Sequence, residues 1–256
     1  MNFSNVKTLI FLAAAFLLTS TTVFSQGEYF LGLDAGILSD RNHFVSETGQ
    51  GVTAGAVGGH IGLAFGYRKN DFVVSMGFGQ YMHGIRNFDL DRNTGVYSRA
   101  NSGSNSVLNF VIPVTFAKEF QVYQNWYLGV GVGLQGLISR DAGHQTKSIS
   151  YNIDQDAPMP WPDNVNADST VTFYGTDRNF NMALETSLYV AYRVDGGAEL
   201  FARFSYQGHI NPTFEARHTF YSDNGTVNGT SSAVNSFIIG GGVRYYLPKS
   251  KDPRPE

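Results

Sequence analysis

Chemistry needs ionisable or nucleophilic side chains that can be brought together, and this chain offers few. It has no cysteine and six histidines. Asp34, His60, Glu185, Arg203 and Arg244 each fall on the small or polar side of an alternating stretch, so they face away from the bulky apolar residues beside them. Such groups at membrane depth must pair or be hydrated. The expected role is an ion-pair plug, in which Glu185 finds Arg203 or Arg244; a narrow ion path is the alternative. Ser205 and His209 share a face and could suggest a nucleophile and base, with His83 at a similar strand end. Four residues of extended chain span about 13 Å, beyond any direct hydrogen bond. No catalytic residue is assigned, and His83 and His209 read as rim or hydrogen-bonded residues.

The other candidates lie in the long irregular stretch from Arg140 to Asp177. Trp161 stands in the rigid frame Pro158-Met159-Pro160-Trp161-Pro162, suited to a glycan or protein contact. Asp154 and Asp156, with Asp163 and Asp168, could offer oxygen ligands to calcium, but the EF-hand spacing is absent. No metal and no cofactor are expected.

The elements that must position these groups are strands. From Leu108 to Ile138 the chain runs LNFVIPVTFAKEFQVYQNWYLGVGVGLQGLI. Leu108, Phe110, Ile112, Val114 and Phe116 alternate with smaller or polar residues. Trp126, Leu128, Val130, Val132 and Leu134 then alternate with Tyr127, Gly129, Gly131, Gly133 and Gln135. An apolar face against a glycine face is unusual for a soluble sandwich. It suits a membrane barrel, whose apolar face meets lipid while the other lines a tight lumen.

Before the first strand, Lys7 is the only charge ahead of Glu28, and Leu9 to Leu18 is an apolar run. Residues 1–26 read as a secretory signal peptide, too short to span a bilayer comfortably as a helix. The remainder is one domain, with a barrel over residues 27–247 and a polar tail, PKSKDPRPE, over 248–256. The net charge of −3 is too small to suggest nucleic acid as a partner. Twenty-nine Gly, 20 Phe and 14 Tyr favour close-packed strands with aromatic rims. No later apolar run approaches the roughly 18 residues of a helical span, so a membrane could be crossed only by a closed barrel.

Eight strands are expected. They begin with Glu28 to Leu38, Val57 to Arg68 and Asp71 to His83, followed by the two arms of the glycine hairpin. Arg178 to Val194, a strand from Ala198, and Ser236 to Leu247 complete the set. Pairing Tyr67 with Phe72 brings Arg68 beside Asp71; pairing Val194 with Ala198 sets Arg193 opposite Glu199 and Tyr189 opposite Arg203. Arg41–Thr53, Gly84–Asn105, Arg140–Asp177 and Gly208–Val234 read as long loops, with Asp223-Asn224-Gly225 at one hairpin tip. Short connections separate them, Lys118–Asn125 among them. Tyr67, Phe72, Phe116, Trp126, Tyr192 and Tyr245 cluster at the short-turn ends as a girdle. A soluble lipocalin-like calyx is the rival, but it would want apolar side chains inside.

The hairpin, with its apolar strand broken at Ile112-Pro113 and followed by WYLGVGVGLQGLI, resembles the small outer-membrane β-barrel domain proteins of Gram-negative bacteria. These are porin-family-like barrels related in architecture to OmpA and OmpX. The resemblance covers residues 27–247 and departs at the polar tail after Tyr245-Tyr246-Leu247. It implies an all-β, eight-stranded antiparallel transmembrane β-barrel, an up-and-down meander with short periplasmic turns and long extracellular loops. Its place is the cell outer membrane. Its partners are membrane lipids, lipopolysaccharide, the barrel-assembly machinery and an unidentified extracellular ligand. A non-enzymatic envelope-structural or surface-recognition role is expected; a narrow transport channel or a lipid-modifying enzyme is the alternative.

Overall fold

The computed structural model describes residues 27–91, 96–139, 146–151, 169–175, 178–222 and 225–247. The segments read as signal peptide and polar tail, and the loop stretch carrying Trp161, Asp154 and Asp156, lie outside these residues. Every described element is a strand: β1 (Glu28–Ser46), β2 (Gly51–Lys69), β3 (Phe72–Asp91), β4 (Val96–Tyr123), β5 (Trp126–Ser139), β6 (Thr146–Tyr151), β7 (Ser169–Gly175), β8 (Phe180–Val194), β9 (Ala198–His209), β10 (Glu215–Ser222) and β11 (Gly225–Tyr246). Strands β1, β2, β3, β4, β5, β8, β9 and β11 pair antiparallel in chain order, and β1 pairs with β11. This is a closed eight-stranded barrel in which no backbone edge is left to lipid.

The alternation sets which face meets lipid. Leu31, Leu33 and Ile37 on β1, Ile61 and Leu63 on β2, Val130 and Val132 on β5, and Leu184 and Leu188 on β8 are all exposed on the outside. Their strand neighbours point into the lumen, where glycine makes room for rings. Gly66 lies opposite Phe30 and Gly129 opposite Tyr189. A Cβ on either glycine would fall within the partner's ring. The turns at one end are tight: Asn70 (φ 56°) and Asp71, Gln124 (φ 36°) and Asn125, and Asp195 to Gly197. Both chain ends of the barrel lie at this turn end, since Phe30 pairs with Tyr246. In an outer-membrane barrel this is the periplasmic side.

The registers expected between β8 and β9 hold: Val194 faces Ala198, Arg193 faces Glu199 and Tyr189 faces Arg203. The first hairpin differs. Lys69, not Tyr67, pairs with Phe72, and Arg68 pairs with Val73. The faces keep their phase, but Arg68 is buried in the lumen (6% exposed) instead of lying beside Asp71.

Three of the four stretches read as loops are largely strand, and the described residues of the fourth are mostly strand as well. β1 runs on to Ser46 and β2 begins at Gly51; β3 reaches Asp91 and β4 starts at Val96. Residues 140–177 contain β6 and β7, and residues 208–234 contain β10 and the outer half of β11. Lys118–Asn125 is likewise mostly strand, reduced to a turn at Gln124 and Asn125. The reason is an inversion of polarity. Beyond Leu38 the inward residues Asn42, Phe44 and Ser46 are buried while Arg41 and His43 face outward, the pattern of a strand in water. At about 3.3 Å per residue and a tilt near 40°, the 19 residues of β1 rise about 45 Å, well past an apolar band of about 25 Å.

At this loop end β10 pairs with β11, β7 with β10 and β6 with β7, extending the sheet above the membrane. Ser222 pairs with Gly225 at the end of the β10–β11 hairpin; Asp223 and Asn224 of the expected Asp-Asn-Gly tip lie outside the described residues. The outer halves of β3 and β4 leave β2 at Gly84. Side chains of β1 replace the lost strand: Asp40 Oδ2 accepts from the Gly84 amide at 2.7 Å, and Asn42 Oδ1 from the Arg86 amide at 3.0 Å. Phe44, Phe88, Tyr97 and Phe220 meet in one buried apolar cluster, with Ile85, Val107, Phe214, Ala216 and Ala233 in a second.

Candidate functional site: a charge-matched lumen

The inward side chains stack in tiers from the turn end to the loop end. In the first tier the Glu119 carboxylate meets Arg68 at 3.0 Å, Arg193 at 2.7 Å and Arg244 at 3.2 Å. It also accepts a hydrogen bond from the Tyr189 hydroxyl at 2.8 Å. Glu199 meets Arg244 at 2.8 Å and Arg193 at 3.1 Å. Aromatic rings brace the guanidinium groups: Arg193 lies 3.3 Å from the Tyr127 ring centre, and Arg244 is 4.6 Å from Phe201 and 4.8 Å from Tyr189. The charged tails therefore find opposite charge and π-faces in place of water.

In the second tier Asp34 binds His60 at 3.0 Å and Arg203 at 2.8 Å, and Arg203 approaches Glu185 at 3.7 Å. Between these tiers lies a cavity of about 80 Å³, lined by Ser75, Thr115 and Ser187 together with glycines and apolar side chains such as Val73 and Val111, large enough for a few waters. The third tier is a carboxamide cluster. Gln207 donates to Tyr81 at 3.1 Å and to Gln135 at 3.0 Å, and Gln135 donates to Glu185. Leu38, Val111, Leu137 and Ile238 pack around it.

In the fourth tier His83 donates to Asp40 at 2.9 Å, Ser236 donates to the same carboxylate, and His209 donates to Ser236 at 3.2 Å. The two apolar clusters lie above this tier, toward the loop end. Within them His218 is fully buried among Phe44, Phe88 and Phe220. Burial pushes its imidazole down to about 4, because the charged form loses its hydration there.

Of the residues singled out in the sequence, Asp34, His60, Glu185 and Arg203 are brought together, with Glu185 within ion-pair reach of Arg203. Arg244 joins a separate cluster one tier away. Of the two roles expected for His83 and His209, the hydrogen-bonded one holds and the rim one does not: they are 0% and 8% exposed, because the strands continue above them. Ser205 is buried too, and the hydroxyl bonded to His209 belongs to Ser236. Sequence reading missed Arg68, Glu119 and Glu199 as a group. Glu199 opposite Arg193 was legible from the β8–β9 turn; Glu119 was hidden because its stretch read as a connection. Across the first two tiers the acidic Asp34, Glu119, Glu185 and Glu199 match Arg68, Arg193, Arg203 and Arg244 one for one.

A closed antiparallel barrel with an apolar coat and a polar, packed interior is an integral outer-membrane β-barrel protein, and the cell outer membrane is where such a coat is satisfied. No family model matches the chain, and no curated protein matches it. Among solved structures it is similar to Neisserial surface protein A, at 15% identity over 86% of this chain and 97% of that one, with a TM-score of 0.43. It is also similar to a major outer membrane protein from Thermus thermophilus (10% identity, 87% and 100% covered, TM-score 0.44). A third is the outer membrane protease OmpT from Escherichia coli (8% identity, 86% and 97% covered, TM-score 0.37). The class of this chain rests on barrel closure and the apolar coat.

Proposed function

We propose that this protein is a non-enzymatic, non-conducting outer-membrane barrel that holds a rigid, strand-built platform above the membrane for surface recognition. The observation that carries the reading is the cap. Where a channel would have its mouth, Phe44, Phe88 and Phe214 are fully buried, and the ion-paired tiers beneath fill the narrow bore of an eight-stranded barrel. The same packing fixes β10, β11 and the outer halves of β1 to β4 as a stable support for whatever segment makes the contact. Trp161, Asp154 and Asp156 are the candidates for that contact. Lipopolysaccharide, phospholipid and the barrel-assembly machinery are the partners expected of any such barrel.

Two measurements test this. Purified protein in planar bilayers is expected to give no stepwise conductance, and robust ion or solute flux would overturn the closed-lumen part. Tyr151 pairs with Ser169, so residues 152–168 can be replaced by a short turn. Cells carrying that variant should keep a heat-modifiable barrel and lose surface adhesion; unchanged adhesion would remove these residues from the reading.

A further inference from the structure

We propose that Lys69 and Lys118 form a binding site for the phosphate of an anionic phospholipid in the leaflet at the turn end. The proposal rests on the barrel spanning a membrane and goes beyond it by naming a ligand and its residues. Lys118 lies on the lipid-facing line of β4, two positions after Phe116 and two before Phe120, which are 55% and 45% exposed. Its ammonium sits 5.5 Å from the centre of the Phe72 ring and 5.2 Å from that of Phe120. Two rings thus hold the charge at the rim of the apolar belt. Lys69 stands on the other side of the same phenylalanine, since Phe72 pairs with both Lys69 and Lys118. Three adjacent strands put the two lysine Cα atoms about 10 Å apart, a span that two long side chains close around one phosphate.

Among the described residues no acidic group answers these charges. Among the described residues neither lysine has an ion-pair partner. Glu119, next in sequence, points into the lumen and is engaged by Arg68, Arg193 and Arg244. Asp71, in the adjacent turn, pairs with neither lysine. Every inward arginine named above has a carboxylate, so the two outward lysines stand apart from an otherwise matched set of charges. A counter-anion supplied by the lipid completes them. A zwitterionic headgroup brings its own ammonium to the same spot, whereas a phosphatidylglycerol headgroup brings none; the site therefore favours net negative lipid. The turn end faces the periplasm, so the lipid is a phospholipid of that leaflet and not lipopolysaccharide.

The test reconstitutes the full chain in nanodiscs of phosphatidylethanolamine and titrates in spin-labelled phosphatidylglycerol or spin-labelled phosphatidylethanolamine, reading the motionally restricted fraction. Each lysine near an anionic headgroup is worth about fivefold in affinity. The native chain should therefore prefer phosphatidylglycerol by about fivefold or more, Lys69→Gln/Lys118→Gln should approach parity, and Lys69→Arg/Lys118→Arg should keep the preference. Equal retention of the two lipids by the native chain, or an unchanged preference in the double glutamine variant, overturns the site. Displacement of the labelled lipid by millimolar inorganic phosphate alone would make it a bare anion site and overturn the lipid assignment. Failure of the barrel itself shows differently, as loss of heat-modifiable mobility and of restricted signal from either lipid.

Discussion

Replacing Glu119 by glutamine tests the physical account of the lumen most directly. The carboxylate is 1% exposed and faces three guanidinium groups within 3.2 Å. Glutamine keeps the shape and one acceptor but removes the charge, leaving Arg68, Arg193 and Arg244 with Glu199 alone. Breaking a buried pair by removing one partner costs about 3–5 kcal/mol, so the unfolding equilibrium should shift by more than about a hundredfold. Glu119→Gln/Arg68→Gln returns the tier to its native charge balance, and the pair should be less destabilised than the two single changes summed, by about 1–3 kcal/mol of coupling. Urea unfolding in lipid vesicles, followed by the fluorescence of Trp126 at the turn end, reads both quantities; the gel mobility shift on heating confirms that each variant inserts. A loss below about 1 kcal/mol for Glu119→Gln, or strict additivity in the pair, would refute the idea that charge matching holds this end of the barrel shut.

Two further outcomes follow from packing and protonation. Gly129→Ala places a methyl group in the Tyr189 ring, which cannot swing aside while its hydroxyl is bonded to Glu119. Overpacking of this kind costs about 1–3 kcal/mol, whereas Gly55→Ala, with nothing near its Cβ, should be close to neutral in the same urea assay. For His218 the folded pKa of about 4 lies below the unfolded value of about 6.5, so the unfolded chain binds the proton more readily. The resulting stability is complete above pH 6.5 and is lost as pH falls toward 4. At pH 5 the platform should be about 2 kcal/mol easier to open, seen as faster amide exchange in β10 and the outer half of β11. His218→Leu should abolish that pH dependence, and its persistence would place the titrating group elsewhere.

How much was legible followed from which physical rule each segment obeys. Within the membrane one rule applies throughout, bulky apolar outward and small or polar inward. The lipid-facing sides of β2, β3, β5, β8 and β9 and the β8–β9 register could therefore be read from alternation and one short turn. Above the membrane the rule reverses. Arg41 and His43 face water while Phe44 and Phe88 face inward, and segments judged by the membrane rule looked like polar loops. The site divided the same way. Inward placement of Asp34, His60, Glu185, Arg203 and Arg244 follows from strand parity. Which of them meet depends on the stagger between strands far apart in sequence, and a shift of two residues in the first hairpin is enough to carry Arg68 from the turn to Glu119.

By itself, then, the sequence determined that the chain forms strands, that eight of them carry a lipid coat, and that the lumen is polar, because side-chain parity is a local property of extended backbone. Closure decided the rest. Only when β1 meets β11 do Glu119 and Glu199 come within reach of three arginines from three other strands, and only when the outer halves of β3 and β4 fold across do Phe44, Phe88 and Phe220 shut the mouth. Both are long-range pairings, fixed by stagger and by the volume left inside a narrow barrel.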